Sequence, residues 1–116
     1  MNMKYILVIL TFLFLPLTDV FGQQTVAEEF AARLAKKMKD TLNLSSTQQS
    51  ELYLLNLQLH NQKMNVRQQY AALPDSIGLL IQRVENTRDS LYRNVLISEE
   101  KYQLYRLKKK DLINNN

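Results

Sequence analysis

The sequence predicts an all-α fold of four helices, elongated along one axis. Apolar residues recur at every third or fourth position through most of residues 26–113, which is the period of an amphipathic helix. No segment alternates apolar and polar residues with the period of two that a half-buried strand shows. Turn-forming residues are scarce, since the 116 residues contain only two glycines and two prolines. Together these observations favour helices and argue against a sheet.

Residues 1–22 have the pattern of a cleaved signal peptide. Lys4 opens a short positive region, residues 6–15 are apolar apart from one threonine, and Val20 and Gly22 lie three residues and one residue before the expected cut. A retained signal anchor is the alternative, but the apolar stretch is about half of the roughly 20 residues that a spanning helix needs. We therefore predict one exported domain of residues 23–116, periplasmic or secreted. It has no disulfides because the chain has no cysteine.

The first helix is predicted at residues 26–42. Thr25 and Glu28 have the spacing of a capping box, which satisfies two backbone N–H groups at the start of a helix. An apolar stripe then recurs every four residues, at Val26, Phe30, Leu34 and Met38.

The second helix is predicted at residues 46–72, with a capping box between Ser45 and Gln48. At 1.5 Å per residue it would be about 40 Å long. Such a helix is too long for a round domain of this size, so we expect an elongated, hairpin-type subunit with apolar surface left for a partner. A second copy of the chain is the simplest partner for so small a core. The helix carries a heptad seam of Leu52, Leu55, Leu59, Val66 and Leu73.

Two further helices are predicted at residues 76–95 and 98–113. Pro74 ends the second helix, and Asp75 or Ser76 can cap the third. The last helix ends in the basic run 108–110, which is more typical of a solvated tail than of a binding site.

The sequence offers little for catalysis or metal binding. His60 is the only histidine, and metal sites of zinc or copper usually need several imidazole or thiolate ligands. We find no Gly-rich phosphate loop and no arrangement of Ser, His and Asp, so we predict neither an enzyme nor a cofactor. The net charge of +4 suits an acidic partner or an anionic membrane surface. It lacks the dense basic stripe of a nucleic-acid binder.

Five tyrosines lie on the predicted helices, and two interpretations of them stay open. With neighbouring arginines they could form an amphipathic, basic binding surface. Alternatively, they pack at helix edges with their hydroxyl groups in water. The residues concerned are Tyr53, Tyr70, Tyr92, Tyr102 and Tyr105, with Arg67, Arg83, Arg88, Arg93 and Arg106.

The stretches before the second and fourth helices resemble the LTxxQ motif of the Spy/CpxP-like family of small exported stress proteins. Residues 44–48, Leu-Ser-Ser-Thr-Gln, fit the motif with Ser in place of Thr. Residues 95–101 resemble its second copy. There Ile97 takes the place of Thr, Ser98 can cap the helix one residue later, and Glu100 stands for Gln and is expected to reach back to a backbone N–H.

The resemblance implies a curved, antiparallel homodimer in the periplasm that acts without ATP. Such proteins bind unfolded or aggregation-prone clients, or serve as accessories in envelope stress. Metal-binding histidines found in some relatives are missing, so no metal site is carried over. The predicted motif and cap residues are Leu44, Ser45, Gln48, Leu96, Ser98 and Glu100. The predicted client or dimer surface consists of Leu52, Leu55, Leu59, Val66, Arg67, Tyr70, Arg83, Arg88 and Tyr92.

Two alternative functions remain open at this level. The chain could be an adaptor or inhibitor of one envelope partner, such as a sensor domain. It could also be a helical protein bound to a membrane surface through the basic run 108–110, although this is the weakest of the three hypotheses.

Overall fold

The computed structural model describes residues 24–114. Every regular element in this range is helical, which confirms the all-α prediction. The predicted signal peptide lies outside the described residues, so its cleavage after Gly22 stays a prediction. In chain order the elements are α1 (Val26–Leu42), α2 (Ser46–Gln69), α3 (Pro74–Glu85), α4 (Arg88–Leu96), α5 (Glu99–Lys109) and a π-helical turn (Lys110–Asn114).

Helix α1 has the predicted bounds and packs against α2 as a hairpin. Thr25 accepts a hydrogen bond from the backbone N–H of Glu28 and so caps its N-terminus. Its C-terminus closes on Asn43, whose left-handed backbone (φ 54°, ψ 59°) lets the N–H groups of Asn43 and Leu44 both reach the Lys39 carbonyl. Of the predicted stripe, Leu34 and Met38 are buried, Phe30 is half-buried and Val26 in the first turn is exposed.

Helix α2 begins at the predicted cap but ends three residues early. Pro74 disfavours helical geometry at Leu73, and the chain uses residues 70–73 as a turn closed by the Leu73 N–H on the Tyr70 carbonyl, 2.8 Å away. Buried residues of α2 are confined to its first half, at Leu52, Asn56 and Leu59. The second half therefore extends beyond the core.

Two details of the predicted third helix are wrong. Neither Asp75 nor Ser76 caps it, because Pro74, which has no N–H to satisfy, occupies the first helical position after Leu73. The helix is also broken at residues 86–87 into α3 and α4. At the break the Thr87 side chain donates a hydrogen bond to the Val84 carbonyl at 2.7 Å, and this competes with a regular helical bond.

The hydrophobic core lies at one end of the folded molecule, not at one end of the sequence. Leu34 and Met38 of α1 pack there with Leu52 of α2, and α4, α5 and the π-helical turn complete the cluster. By contrast, α3 contains no buried residue and projects with the second half of α2 as a hairpin. We call this pair, residues 61–85, the distal hairpin.

The basic run near the C-terminus is part of the fold rather than a solvated tail. Leu112 in the π-helical turn is buried in the core. The Lys37 ammonium group on α1 donates a hydrogen bond to the Asp111 carbonyl at 2.8 Å. The turn is thereby fixed against α1.

Candidate functional site

The two stretches that resemble the LTxxQ motif lie against each other. We call residues 44–48, before α2, the first corner and residues 95–101, before α5, the second corner. At the first corner Ser45 and Gln48 form the predicted capping box: the Ser45 hydroxyl accepts from the Gln48 N–H, and the Gln48 side-chain oxygen accepts from the Ser45 N–H. The amide nitrogen of the same Gln48 side chain donates to the carbonyl of Val95 at 3.0 Å, at the end of α4. Gln48 therefore caps one helix and ties it to another, and it needs both ends of its amide to do so.

The second corner is built differently from the first. Ser98 caps α5 by accepting from the Lys101 N–H, as predicted. The prediction for Glu100 is wrong, because the shifted cap leaves Glu100 one residue short of the reciprocal position, and the Ser98 N–H donates to the Leu96 carbonyl instead. Lys101 then donates through its ammonium group to the Asn43 carbonyl at 2.9 Å, which gives a second tie between the corners.

Ile97, in the second corner between α4 and α5, adopts an unusual backbone conformation. Its φ of 62° and ψ of −56° close a γ-turn from Leu96 to Ser98, and this conformation is strained for a β-branched residue. Its side chain is 84% exposed. Burial therefore does not compensate for the strain.

A buried chain of polar groups crosses four helices at the base of the distal hairpin. Asn56 on α2 donates to the Ala31 carbonyl of α1 at 3.3 Å and accepts from the Tyr92 hydroxyl of α4. Arg88 donates to the Tyr92 oxygen at 2.6 Å and holds both oxygens of Glu85 on α3, at 2.8 and 2.9 Å. We call Asn56, Tyr92, Arg88 and Glu85, together with Lys63 of α2, which donates to Glu85, the polar network.

Burial and charge shift the pKa values of this network. Burial alone would raise the pKa of Glu85, but the hydrogen bonds and charges of Arg88 and Lys63 outweigh it and lower the pKa to about 2. Burial raises the pKa of the Tyr92 hydroxyl to about 12, although the Arg88 charge opposes this. Glu85 is therefore ionised and Tyr92 neutral at pH 7. These groups hold helices together and leave no free acid or base for catalysis.

A cleft of about 620 Å³ lies beside the polar network, lined by Phe30 and Ile113 on one side and by charged groups on the other. Its charged groups are paired. Lys63 is bound to Glu85, and Asp89 accepts from Lys109 at 2.9 Å and from the Tyr105 hydroxyl at 2.8 Å. A ligand in this cleft would have to displace existing ion pairs.

Two shallower grooves follow one face of α2. The first, of about 350 Å³, lies between α2 and α4 and is lined by Leu54, Leu55, Leu91 and Val95 among others. The second, of about 450 Å³, lies between α2 and α3 and includes Gln62, Val66, Arg83 and Val84. Because Gln62 follows Leu55 by seven residues and Val66 follows Gln62 by four, which are about two turns and one turn of helix, the grooves run along the same side of α2. We call them together the α2 groove.

Four residues of the predicted client or dimer surface are not available to a partner. Leu52 and Leu59 face α1 and α4 and are fully buried in this subunit. Arg88 and Tyr92 are buried in the polar network. The prediction is wrong for Arg88 and Tyr92 because their side chains are bound inside the polar network. It is wrong for Leu52 and Leu59 because the heptad seam is shared between two faces of α2. Positions 52 and 59 turn toward the core, and positions 55, 62 and 66 turn toward the groove.

The other five residues of that prediction remain accessible. Leu55, Val66 and Arg83 line the α2 groove. Tyr70 is half-buried at the tip of the distal hairpin, and Arg67 is exposed nearby. The tyrosines do not form a single basic surface, since Tyr92, Tyr102 and Tyr105 pack in the core.

The sequence-based reasoning missed Asn56 and Glu85. Asn56 carried a detectable signal, because it lies four residues after Leu52 and three before Leu59, which places an amide on the buried face of the helix. A buried amide on such a face requires partners. The spacing of Glu85 to Arg88 indicates a local pair. The bond from Lys63 to Glu85 carried no comparable signal, since the two residues are 22 positions apart.

The described residues offer no metal site and no membrane span. His60 rests half-buried against the Phe30 ring, with ring centres 6.0 Å apart. Within residues 24–114, no three histidine, cysteine or carboxylate side chains come together as a metal-holding group. None of the helices in that range combines the length and apolarity that crossing a bilayer requires.

Comparison with protein-family models, curated proteins and solved structures returned no match for this chain.

Proposed function

We propose that this chain is a periplasmic, ATP-independent chaperone-like or envelope-stress protein of the Spy/CpxP type. It binds unfolded or aggregation-prone proteins on apolar helix surfaces that its own core leaves uncovered. The observation that carries this proposal is the distal hairpin, in which α3 buries no residue and Leu73 and Leu79 are 58% and 59% exposed. Exposed apolar side chains grouped on a projecting hairpin are typical of a surface that binds partners.

The α2 groove adds a second argument. It presents Leu55, Val66 and Leu91 in an open channel next to the positive charge of Arg83. Unfolded chains expose apolar side chains in many arrangements, and a shallow apolar groove without deep pockets accommodates them without strict selection. The resemblance of both corners to the LTxxQ motif agrees with this function.

A homodimer is part of the proposal. The part of the α2 face around Val66 can pair with the same part of a second copy, in the isologous manner usual for dimers, while Leu73 and Leu79 of the distal hairpin stay open to clients. Light scattering at micromolar concentration should give twice the subunit mass, and Val66→Arg should shift the mass toward the monomer. A stable, folded monomer of the unaltered chain would contradict this part of the proposal.

Aggregation assays test the chaperone activity directly. We expect the purified chain to suppress light scattering by a chemically denatured enzyme at near-stoichiometric ratios, with no effect of added ATP. The variant Leu73→Ser/Leu79→Ser should need several times more protein for the same suppression, because it removes apolar contacts without touching the core. Leu107→Ser is the matched control, since it removes an exposed leucine on α5, outside the distal hairpin.

The result of the aggregation assay with the unaltered chain distinguishes the chaperone proposal from the adaptor hypothesis. If it suppresses none of several clients, chaperone activity is ruled out. Stable capture of one envelope protein under the same conditions would then identify an adaptor or inhibitor.

A further inference from the structure

The end of α5 carries a cluster of cations around one exposed leucine. Arg106, Lys108 and Lys110 are exposed, and Leu107 among them is 77% exposed. Residues 106–114 contain four cations and a single carboxylate, Asp111. A single exposed leucine is common on protein surfaces, but an apolar side chain within a run of cations is also the composition by which helices bind anionic membrane surfaces.

The fold holds this cluster in place. Leu112 is buried directly after it, and the Lys37 ammonium group is bound to the Asp111 carbonyl. Lys37 therefore adds a further positive charge from α1. We call Lys37, Arg106, Leu107, Lys108 and Lys110 the basic end. Because it is anchored at both sides, little conformational entropy is lost when it binds a surface.

From this arrangement we propose that the basic end docks the protein on the surface of an anionic lipid bilayer. The cations attract lipid phosphates, and Leu107 enters the boundary between headgroups and acyl chains. Lysine and arginine suit this position because their aliphatic stems lie along apolar material while the charge stays in water. The bilayer is favoured over an acidic protein because an exposed leucine among lysine and arginine side chains matches the boundary between charged headgroups and acyl chains, whereas an acidic protein surface would pair with the cations alone. No described helix spans a membrane, so the attachment is peripheral and salt-dependent.

This inference is independent of client binding. The basic end lies on α1, α5 and the π-helical turn, whereas the proposed client surface lies on α2, α3 and α4. Docking through the basic end therefore leaves the α2 groove and the distal hairpin accessible.

Sedimentation with lipid vesicles tests the inference on the full chain. We expect the protein to pellet with vesicles of equal parts phosphatidylcholine and phosphatidylglycerol at low salt, and to stay in solution with phosphatidylcholine alone. The variant Lys108→Gln/Lys110→Gln should bind roughly 25-fold more weakly, at about fivefold per charge. Leu107→Ser should weaken binding roughly tenfold without changing its salt dependence, because it removes only an apolar contact.

The matched control is Arg67→Gln/Arg83→Gln, which removes the same charge from the distal hairpin. It should bind vesicles as the unaltered chain does. Equal losses in the two double variants would overturn the proposal, because net charge alone would then explain binding. It would also be overturned if the unaltered chain failed to sediment with anionic vesicles, or bound an acidic protein through the basic end but not vesicles. Unchanged urea unfolding of each variant ensures that losses report docking.

Discussion

At the scale of single residues, Gln48 shows why its position requires an amide and not an acid. Its oxygen accepts from the Ser45 N–H, and its nitrogen donates to the Val95 carbonyl at 3.0 Å. A carboxylate can perform the first role but not the second. Gln48 thus has a structural role that a capping box alone would not demand.

We predict that Gln48→Glu destabilises the fold by about 1–3 kcal/mol, the usual cost of leaving a partly buried carbonyl without its donor. Ser45→Ala should cost about 1 kcal/mol, the worth of an N-cap. Urea unfolding measures both, with Gln49→Glu as a control that makes the same chemical change in the same turn. If Gln48→Glu proved as stable as the unaltered chain, the hydrogen bond from Gln48 to Val95 would contribute nothing to the free energy of unfolding.

The sequence could predict one half of the role of Gln48. The bond to Ser45 spans three residues and follows from spacing alone. The bond to Val95 spans 47 residues and depends on how the helices pack. The bonds of Asn56 and the bond from Lys63 to Glu85 were missed for the same reason, because the two partners of each bond lie on different helices.

At the scale of elements, the two corners reverse the chain with different backbone chemistry. Asn43 takes the left-handed conformation that asparagine tolerates, whereas Ile97 takes a positive φ that a β-branched residue disfavours. A comparison of glycine substitutions separates these cases.

We predict that Ile97→Gly stabilises the fold by about 0.5–1 kcal/mol, because the strain that it relieves exceeds the entropy that glycine adds to the unfolded chain. Asn43→Gly should change stability by only a few tenths of a kcal/mol. Thermal unfolding of the two variants provides the measurement. A loss of stability in Ile97→Gly would show that its exposed side chain makes a contact worth more than the strain.

Helix starts were easier to predict than the helix break. The starts of α1 and α2 follow from caps that lie within a few residues of each other. The break at residues 86–87 was not predictable in this way, because the apolar period continues from Val84 to Leu91 and neither Asn86 nor Thr87 forbids a helix.

At the scale of the whole molecule, the polar network makes stability depend on acid pH. The pKa of Glu85 falls from 4.5 to about 2 on folding. Stability from this group is therefore complete above pH 4.5 and is lost as the pH falls toward 2. At 1.36 kcal/mol per pKa unit the loss is at most about 3 kcal/mol. Burial alone would raise the pKa of Asp89, but Lys109 and Tyr105 outweigh it and lower the pKa below its usual value. Asp89 therefore adds to the same trend.

Urea unfolding between pH 2 and pH 7 measures this dependence. Lys63→Gln should reduce it, because Glu85 loses one of the two cations that lower its pKa. Glu51→Gln, which changes an exposed carboxylate outside the polar network, should leave the slope as it is. A stability that stays level from pH 5 to pH 2 would contradict the assigned role of Glu85.

The elongated architecture was predictable from the length of α2, but the position of the uncovered surface was not. A heptad seam specifies which residues share a face. It does not specify which part of that face a neighbouring helix covers. In this fold Leu52 and Leu59 are buried within the subunit, whereas Leu55 and Val66 remain in the α2 groove.

The distal hairpin has one more consequence. Since α3 buries nothing, its opening exposes no core residue and requires less free energy than unfolding of the whole domain. The bonds from Lys63 and Arg88 to Glu85, at the base of the hairpin, mark where such an opening stops. A surface that loosens in this way can adjust its shape to many different sequences, while the rest of the molecule keeps a single conformation.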